Sequence, residues 1–305
     1  MRRGPRDAAR FAGPDSGIAP IPPDPPEYPI PMRAQKVFLT GASSGLGQAL
    51  AREYAARGAI LGLVGRREAA LRELAASLPN PNAARVYAAD VRDADAMAAA
   101  AQDFLDHFGC PDIVVANAGV SVGTVAGERE DLAAFRLVMD TNWFGVLTTF
   151  QPFLQPMRAA ERGAGGWRGT LVGIASVAGV RGLPGAGAYS ASKSAVIKLL
   201  ESLRLEERAN GIRVVTIAPG YIRTPMTAHN PYRMPFLMDA DVFARKAVRA
   251  IAAGRRFAVV PWQMGVVAGI LHVLPRWLYD ALAARAPRKP RKPDPGSAPP
   301  PGASA

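Results

Sequence analysis

The sequence predicts a doubly wound α/β domain, a parallel sheet of about seven strands with helices on both faces. Three observations carry this. Of the 28 prolines, nine fall in residues 1–31 and seven in residues 287–305, which leaves an ordered body of about 255 residues between two proline-rich ends. That length buries a sizeable core. Within the body, short β-branched runs alternate with Ala/Leu/Arg-rich stretches of helical period. Parallel strands need crossovers, so six such alternations imply helices on both faces of one sheet. The first strand also runs straight into a glycine-rich turn that opens a helix.

Strands are predicted at Lys36–Thr40, Ile60–Val64, Arg85–Ala88, Asp112–Ala116, Thr170–Ile174, Val214–Ile217 and Phe257–Val260, each a short apolar or β-branched run. Helices are predicted between them, at Leu46–Ala56, Glu68–Ser77, Ala94–Phe108, Leu132–Ala160 and Ala188–Ala209, where apolar residues recur every three to four positions. A further short helix is expected from Met264 to Leu274. No internal repeat is visible. The domain plan is a leader over 1–31, a catalytic unit over 32–262, an apolar helical region over 263–286 and a basic tail over 287–305.

The leader has Pro-Pro pairs and no apolar run that would make its arginines a signal peptide, and Met32 stands just before the first strand as an alternative start. The formal charge is +12, from 37 Lys+Arg against 25 Asp+Glu, and arginine supplies 31 of the 37. The leader is neutral and the tail carries about +3 of this. No aromatic-interleaved basic stripe, finger spacing or RNA-binding signature accompanies the charge, so no nucleic-acid partner is expected. Cys110 is the only cysteine. It rules out an internal disulfide framework and makes a reducing, cytoplasmic setting the expectation. His107, His229 and His272 show no metal-ligand spacing, and no metal is expected.

Thr40-Gly41-Ala42-Ser43-Ser44-Gly45-Leu46-Gly47 is the glycine-rich turn. Glycines let backbone N–H groups approach a pyrophosphate, and the next helix offers its positive end. The second strand ends in Gly65-Arg66-Arg67, about twenty residues on. An acid there would bind a ribose 2′-hydroxyl, whereas arginine suits a 2′-phosphate. NADP(H) is therefore expected over NAD(H), which stays possible. Asp90-Val91, ending the third strand, is placed to contact the adenine ring.

With these residues the sequence resembles the short-chain dehydrogenase/reductase family over about residues 34–262, and is expected to have its Rossmann-type fold. The turn matches the family's TGxxxGxG. Asn117-Ala118-Gly119 ends the fourth strand as its NAG motif does. Asn142 lies in a long helix where the family has a catalytic asparagine. Ser176 follows the fifth strand, and Tyr189-Ser190-Ala191-Ser192-Lys193 is YxxxK. Pro219-Gly220 ends the sixth strand, with Ile222 and Thr224 beyond it. The resemblance implies a dinucleotide held by these segments, Tyr189 and Lys193 included, and a reaction between a carbonyl and an alcohol.

The residue types fit that chemistry. Hydride transfer to a carbonyl builds negative charge on oxygen, so a proton donor and fixed dipoles are needed there. Tyr189 can give the proton, but a phenol of pKa about 10 is a poor acid–base near neutrality. Lys193 stands one helical turn later on the same face, and its charge is expected to lower that pKa. Ser176 would polarise the carbonyl. The resemblance adds a water relay at Asn142 and a grip of Lys193 on the nicotinamide ribose. Asn117 is expected to stabilise its strand and turn rather than take part in chemistry. The competing reading, a catalytically silent dinucleotide-binding regulator, needs only the glycine turn and the arginines and leaves the Ser–Tyr–Lys–Asn set without a purpose.

The small-molecule substrate is expected to be apolar. Thr224–Asp241 holds Met226, Met234, Phe236, Leu237 and Met238, residues that fit either an irregular ligand or the protein's own core. Residues 257–275 carry no charge, yet the first four read as a strand and the remaining helix is too short to span a bilayer. Two readings stay open for 263–286. One is a homodimer or homotetramer contact, which the resemblance favours. The other is a peripheral membrane contact with Trp262, Trp277 and Tyr279 at headgroup level and the basic tail nearby.

Overall fold

Residues 34–163, 165–228, 230, 232–285 and Arg291 are described by the structure, a computed structural model. The leader, His229 and the tail other than Arg291 lie outside the described residues.

The main sheet is built from β1 (Lys36–Thr40), β2 (Ile60–Gly65), β3 (Ala84–Ala88), β4 (Ile113–Ala116), β5 (Gly169–Ile174), β6 (Ile212–Pro219) and, after the short pair β7 (Ile222–Arg223) and β8 (Met238–Asp239), β9 (Phe257–Val260). Its order is β3-β2-β1-β4-β5-β6-β9 and every pairing is parallel. The chain winds outward from β1 in one direction and from β4 in the other. The crevice at the carboxyl ends of these two strands is where a doubly wound sheet accepts a ligand.

Side chains alternate across each strand. In β1, Val37 and Leu39 enter one core and Phe38 the other, all fully buried. The first core is closed by α1 (Gly45–Ala56), α2 (Glu68–Ala76) and α7 (Ala240–Ala252), through Leu50, Tyr54, Leu71, Phe243 and Val248. The second is closed by α3 (Ala94–Phe108), α5 (Gly145–Ala159) and α6 (Gly187–Glu206), through Phe104, Phe153 and Leu200. The ring of Phe38 meets Phe104 edge-on at 5.5 Å and Phe153 at 4.7 Å. Offset and edge-on pairs like these add about 0.5–1.5 kcal/mol each beyond their buried area.

The single helix expected over Leu132–Ala160 is divided. α4 (Leu132–Met139) passes through a π-helical turn, Asp140–Phe144, into α5. Gly145 packs so closely on the loop between β3 and α3 that a β-carbon there would lie 2.7 Å from Val91 Cγ2, and Thr148 Oγ1 donates to Val91 O at 2.6 Å. An extra residue in a turn rotates the downstream helix by about 100° relative to the upstream one. A pattern averaged over both halves does not reveal such a phase shift, and Asn142 sits inside it.

α6 ends at Glu206, three residues short of the expected Ala209. The short apolar helix, α8 (Trp262–Val273), starts directly after Pro261, and Pro275 opens a second one, α9 (Arg276–Ala283). Proline just before or at the first helical residue loses no bond that the helix needs. Among the described residues no helix is long and apolar enough to cross a membrane.

Candidate functional site

A cleft of about 280 Å³ opens over the carboxyl ends of β1 and β4 and gathers residues from six strand ends. On its floor the turn after β1 takes positive φ at Gly41 (+69°) and Gly45 (+57°), conformations that disfavour any side chain. A β-carbon on Gly47 would stand 2.1 Å from Gly41 O, so the turn closes onto α1 only because that position is glycine. Gly47 itself is buried behind the cleft rather than on its wall. Ser44, the N-cap of α1, makes no side-chain cap bond, and no acid lies in the first helical turn. The positive end of α1 therefore faces the cleft through Gly45 and Leu46 without an internal anion.

Asn117 ties the turn to β4. Its Nδ2 donates to Thr40 O at 3.0 Å and Gly41 O at 3.3 Å. Thr40 Oγ1 donates to Val115 O and receives the N–H groups of Asn117 and Ala118 at 3.2 and 3.3 Å. Thr40 stands in the quoted turn, but its bonding role is not legible in the sequence because its hydroxyl acts across 75 residues or more.

Ser43, Arg66, Arg67, Asp90 and Val91 form one end of the cleft. Arg67 Nη2 donates to Ser43 O at 3.1 Å and Ser43 Oγ at 3.2 Å, so it braces the turn as well as facing the cleft. The Asp90 carboxylate is gripped by Arg92, at 2.6 Å in the closest bond, which holds its pKa below the usual carboxylate range. Arg92 is absent from the sequence-based set.

Ser176, Tyr189 and Lys193 share the far end of the cleft with Ile174 and Ala175. Ser176 caps a 3₁₀ turn, accepting the Ala178 N–H at 3.1 Å. That turn lies against the backbone of α6: a β-carbon on Gly179 would meet Lys193 C at 2.7 Å. Glycine here brings Ser176 close enough to Tyr189 to lower the phenol's pKa. Lys193 is almost wholly buried, and its Nζ donates to Ile174 O at 2.8 Å and lies 5.9 Å from the Tyr189 ring centre.

The expectation that Lys193 lowers the Tyr189 pKa is not met. Burial dominates both groups and favours their neutral forms. It raises the phenol above its ordinary value, against the lowering effect of the nearby Ser176 hydroxyl, and it brings the Lys193 ammonium down to about 8.

Asn142 is fully buried and stands beside the cleft rather than on it. Its Oδ1 accepts the Val120 N–H at 2.7 Å, and its Nδ2 donates to Val120 O at 3.0 Å and Ser192 Oγ at 2.9 Å. Gly119 separates Asn142 from Lys193: a β-carbon there would be 3.3 Å from Asn142 Oδ1 and 3.5 Å from Lys193 Nζ. Ser192, whose hydroxyl also donates to Tyr189 O at 2.8 Å, joins the π-turn to α6. It lies inside the YxxxK segment, at one of the positions that the motif leaves open.

Ala118, Gly119, Pro219, Gly220, Ile222 and Thr224 line the remaining wall, with Thr141, Val120, Pro225, Met226 and Thr227, which the sequence did not single out as site residues apart from the methionine. The segment after Thr224 divides its apolar residues between the two roles expected of it. Met226 lines the cleft, whereas Met238 packs on the core. Phe236 is half-exposed with φ +57°.

The loop between Ser176 and Tyr189 is fastened from outside. Arg181 donates to the last carbonyls of α8, Leu271 O at 2.7 Å and Leu274 O, and stacks 5.2 Å above the Tyr279 ring. The Tyr279 hydroxyl donates to Gly182 O, which ties α9 to this loop. His272 is exposed on the last turn of α8.

Residues 35–233 match the family described as short chain dehydrogenase. An uncharacterized oxidoreductase of Myxococcus xanthus is 39% identical over 258 residues, 83% of this chain and 98% of that protein. A short chain dehydrogenase/reductase from Burkholderia phymatum, solved in complex with NAD, superposes with a TM-score of 0.68 at 24% identity over 85% of this chain and 98% of that one. An alcohol dehydrogenase from Thermococcus sibiricus, complexed with 5-hydroxy-NADP, gives 0.64 at 26% identity over 75% of this chain and 95% of that one. The order of the sheet, the glycine turn over the β1–β4 crevice and these likenesses agree: the chain belongs to the short chain dehydrogenase family of oxidoreductases.

Proposed function

We propose that the protein interconverts a carbonyl and an alcohol, using NADP(H) in preference to NAD(H), with Tyr189 as acid–base. The observation that carries this reading is a continuous cleft that has an anion-ready helix end and Arg66–Arg67 at one end and Ser176, Tyr189 and Lys193 at the other. A dinucleotide laid between them reaches from phosphate site to reacting atoms.

The cleft fits such a group. The turn presents backbone N–H groups and the end of α1 to a pyrophosphate. Arg66 and Arg67 would meet a 2′-phosphate, and no acid stands at Gly65 or Arg66, the end of the second strand, to bind a free hydroxyl instead. One of the two solved relatives above holds NAD and the other an NADP derivative, so the preference rests on these arginines. Asp90, Val91, Asn117, Ala118, Gly119, Pro219, Gly220, Ile222 and Thr224 would enclose the remainder. When bound, the nicotinamide supplies or takes up the hydride.

The chain's own groups do the rest. Ser176 orients the substrate oxygen by a hydrogen bond, and Tyr189 gives that oxygen its proton in reduction or removes it in oxidation. Near neutrality Tyr189 carries its proton, as carbonyl reduction requires of the donor, and the positive charges of Lys193 and of an oxidised nicotinamide would offset the raising effect of burial on its pKa. Lys193 would hold the ribose hydroxyls and, when charged, favour the phenolate that a departing proton leaves. Asn142 fixes the Val120 backbone and α6 and so positions Lys193, with a water relay as its further role. The substrate wall offers Val120, Met226 and backbone, which suits an apolar molecule.

The test is Tyr189→Phe. The variant should keep its fold and cofactor affinity and lose about a hundredfold or more of its rate with a panel of aldehydes and ketones, the usual contribution of a positioned acid. Parental turnover by this variant would show that Tyr189 is not the proton donor.

A further inference from the structure

α8 and α9 present one apolar stripe outward: Trp262, Val266, Ile270, Val273 and Trp277, the last two 77% and 71% exposed. The first four recur at helical spacing along α8 and Trp277 is exposed in the first turn of α9, while Met264, Gly265 and Ala268 of α8 are buried. Within residues 262–292 six basic residues stand against Asp280 alone. Arg276 and Arg285 are exposed at the two ends of α9, and four more lie in 288–292, of which Arg291 is paired with Asp131 at 2.9 Å.

We propose that this face docks on an anionic lipid surface, with α8 and α9 lying in the plane of the interface. Each helix is too short to cross a bilayer, but an apolar face with a tryptophan in the first turn of each helix and arginines at its border matches what an interfacial helix needs. Charge complementarity selects this occupant over a second copy of the chain. Two copies pressed together on the same face would gather two sets of arginines, whereas anionic headgroups neutralise one. The stripe is also bound rigidly to the loop between Ser176 and Tyr189, through Arg181 and Tyr279. On the proposed function above, the substrate entrance would then lie beside the lipid, consistent with an apolar substrate. The docking itself does not depend on that reading.

The experiment is flotation of the full chain with vesicles of phosphatidylglycerol and phosphatidylcholine, and with phosphatidylcholine alone. The protein should float with the anionic vesicles, less with neutral ones, and less again in high salt. Ile270→Glu with Trp277→Glu should abolish flotation while cofactor binding and circular dichroism stay as in the parent. Arg276→Gln with Arg285→Gln, which leaves the apolar stripe whole, should weaken binding about fivefold per charge. Failure of the parent to float, or flotation insensitive to both pairs, overturns the proposal. So does a parent dimer by light scattering that the Ile270/Trp277 pair converts to monomer, since a second copy would then cover the stripe. Cofactor affinity is read separately, so a missing dehydrogenase activity would leave this result unaffected.

Discussion

Lys193→Met isolates what burial does to the lysine. The parent ammonium loses solvation, and its pKa falls from an ordinary 10.5 to about 8. One unit corresponds to about 1.4 kcal/mol, so below pH 8 the folded state bears a burden of about 3 kcal/mol that the unfolded chain does not. Between these two values the unfolded chain holds the proton and the folded one does not, so stability rises with pH in that window. It is the depressed base, not a carboxylate, that sets this sign. Methionine fills a similar volume without the charge, but leaves Ile174 O without its 2.8 Å donor, at a cost of about 1–3 kcal/mol that does not vary with pH. The two terms nearly offset each other at neutrality, so the diagnostic is the slope. Urea unfolding from about pH 7 to about pH 10 should show the parent gaining about 2 kcal/mol relative to the variant. Tyr189 is present in both proteins, so its own titration cancels from the comparison. Parallel stability curves for the two proteins would refute the idea that burial penalises the Lys193 charge. The variant should also lose turnover, since a neutral thioether holds no ribose hydroxyl.

The arginines and Asn142 give further expected outcomes. Arg66→Ala should weaken NADPH by about ten- to a hundredfold and leave NADH nearly unchanged, the range expected for a lost hydrogen bond to a charged group. Arg67→Ala should weaken both cofactors, because it also releases the Ser43 carbonyl and hydroxyl; titration of each cofactor by fluorescence separates the two residues, and equal losses for Arg66→Ala would remove the 2′-phosphate argument. Asn142→Ala deprives Val120 N–H and C=O of their partners and should lower stability by about 2–4 kcal/mol in urea unfolding. If that variant were as stable as the parent, Asn142 would not be the tie between the β4 loop and the π-turn.

Most of the fold was legible because each strand is a local apolar run and each crossover a local helical period. β1 and α3 fall on their predicted limits, and β9 does too. The division of Leu132–Ala160 was not legible, since it arises from Gly145 pressing on Val91, more than fifty residues away in sequence. Among the site residues, Arg66, Tyr189 and Lys193 announced themselves by position after a strand or at one-turn spacing. Thr40, Arg92 and Ser192 did not, because single polar residues acquire a role only from partners that the fold brings to them.

By itself the sequence determined the alternation of elements, the turn that must be glycine and the residue types at the strand ends, because these depend on backbone sterics and short-range period. Only the tertiary structure decided which side chains meet and in which protonation state. It buried Lys193 and half-buried Tyr189 beside it, and desolvation is the largest cause of the shift in each. It also turned Tyr279 inward onto the substrate-side loop and left Trp277 facing out. Solvation and contact are properties of three-dimensional neighbours, and those neighbours are set by packing between segments far apart in the chain.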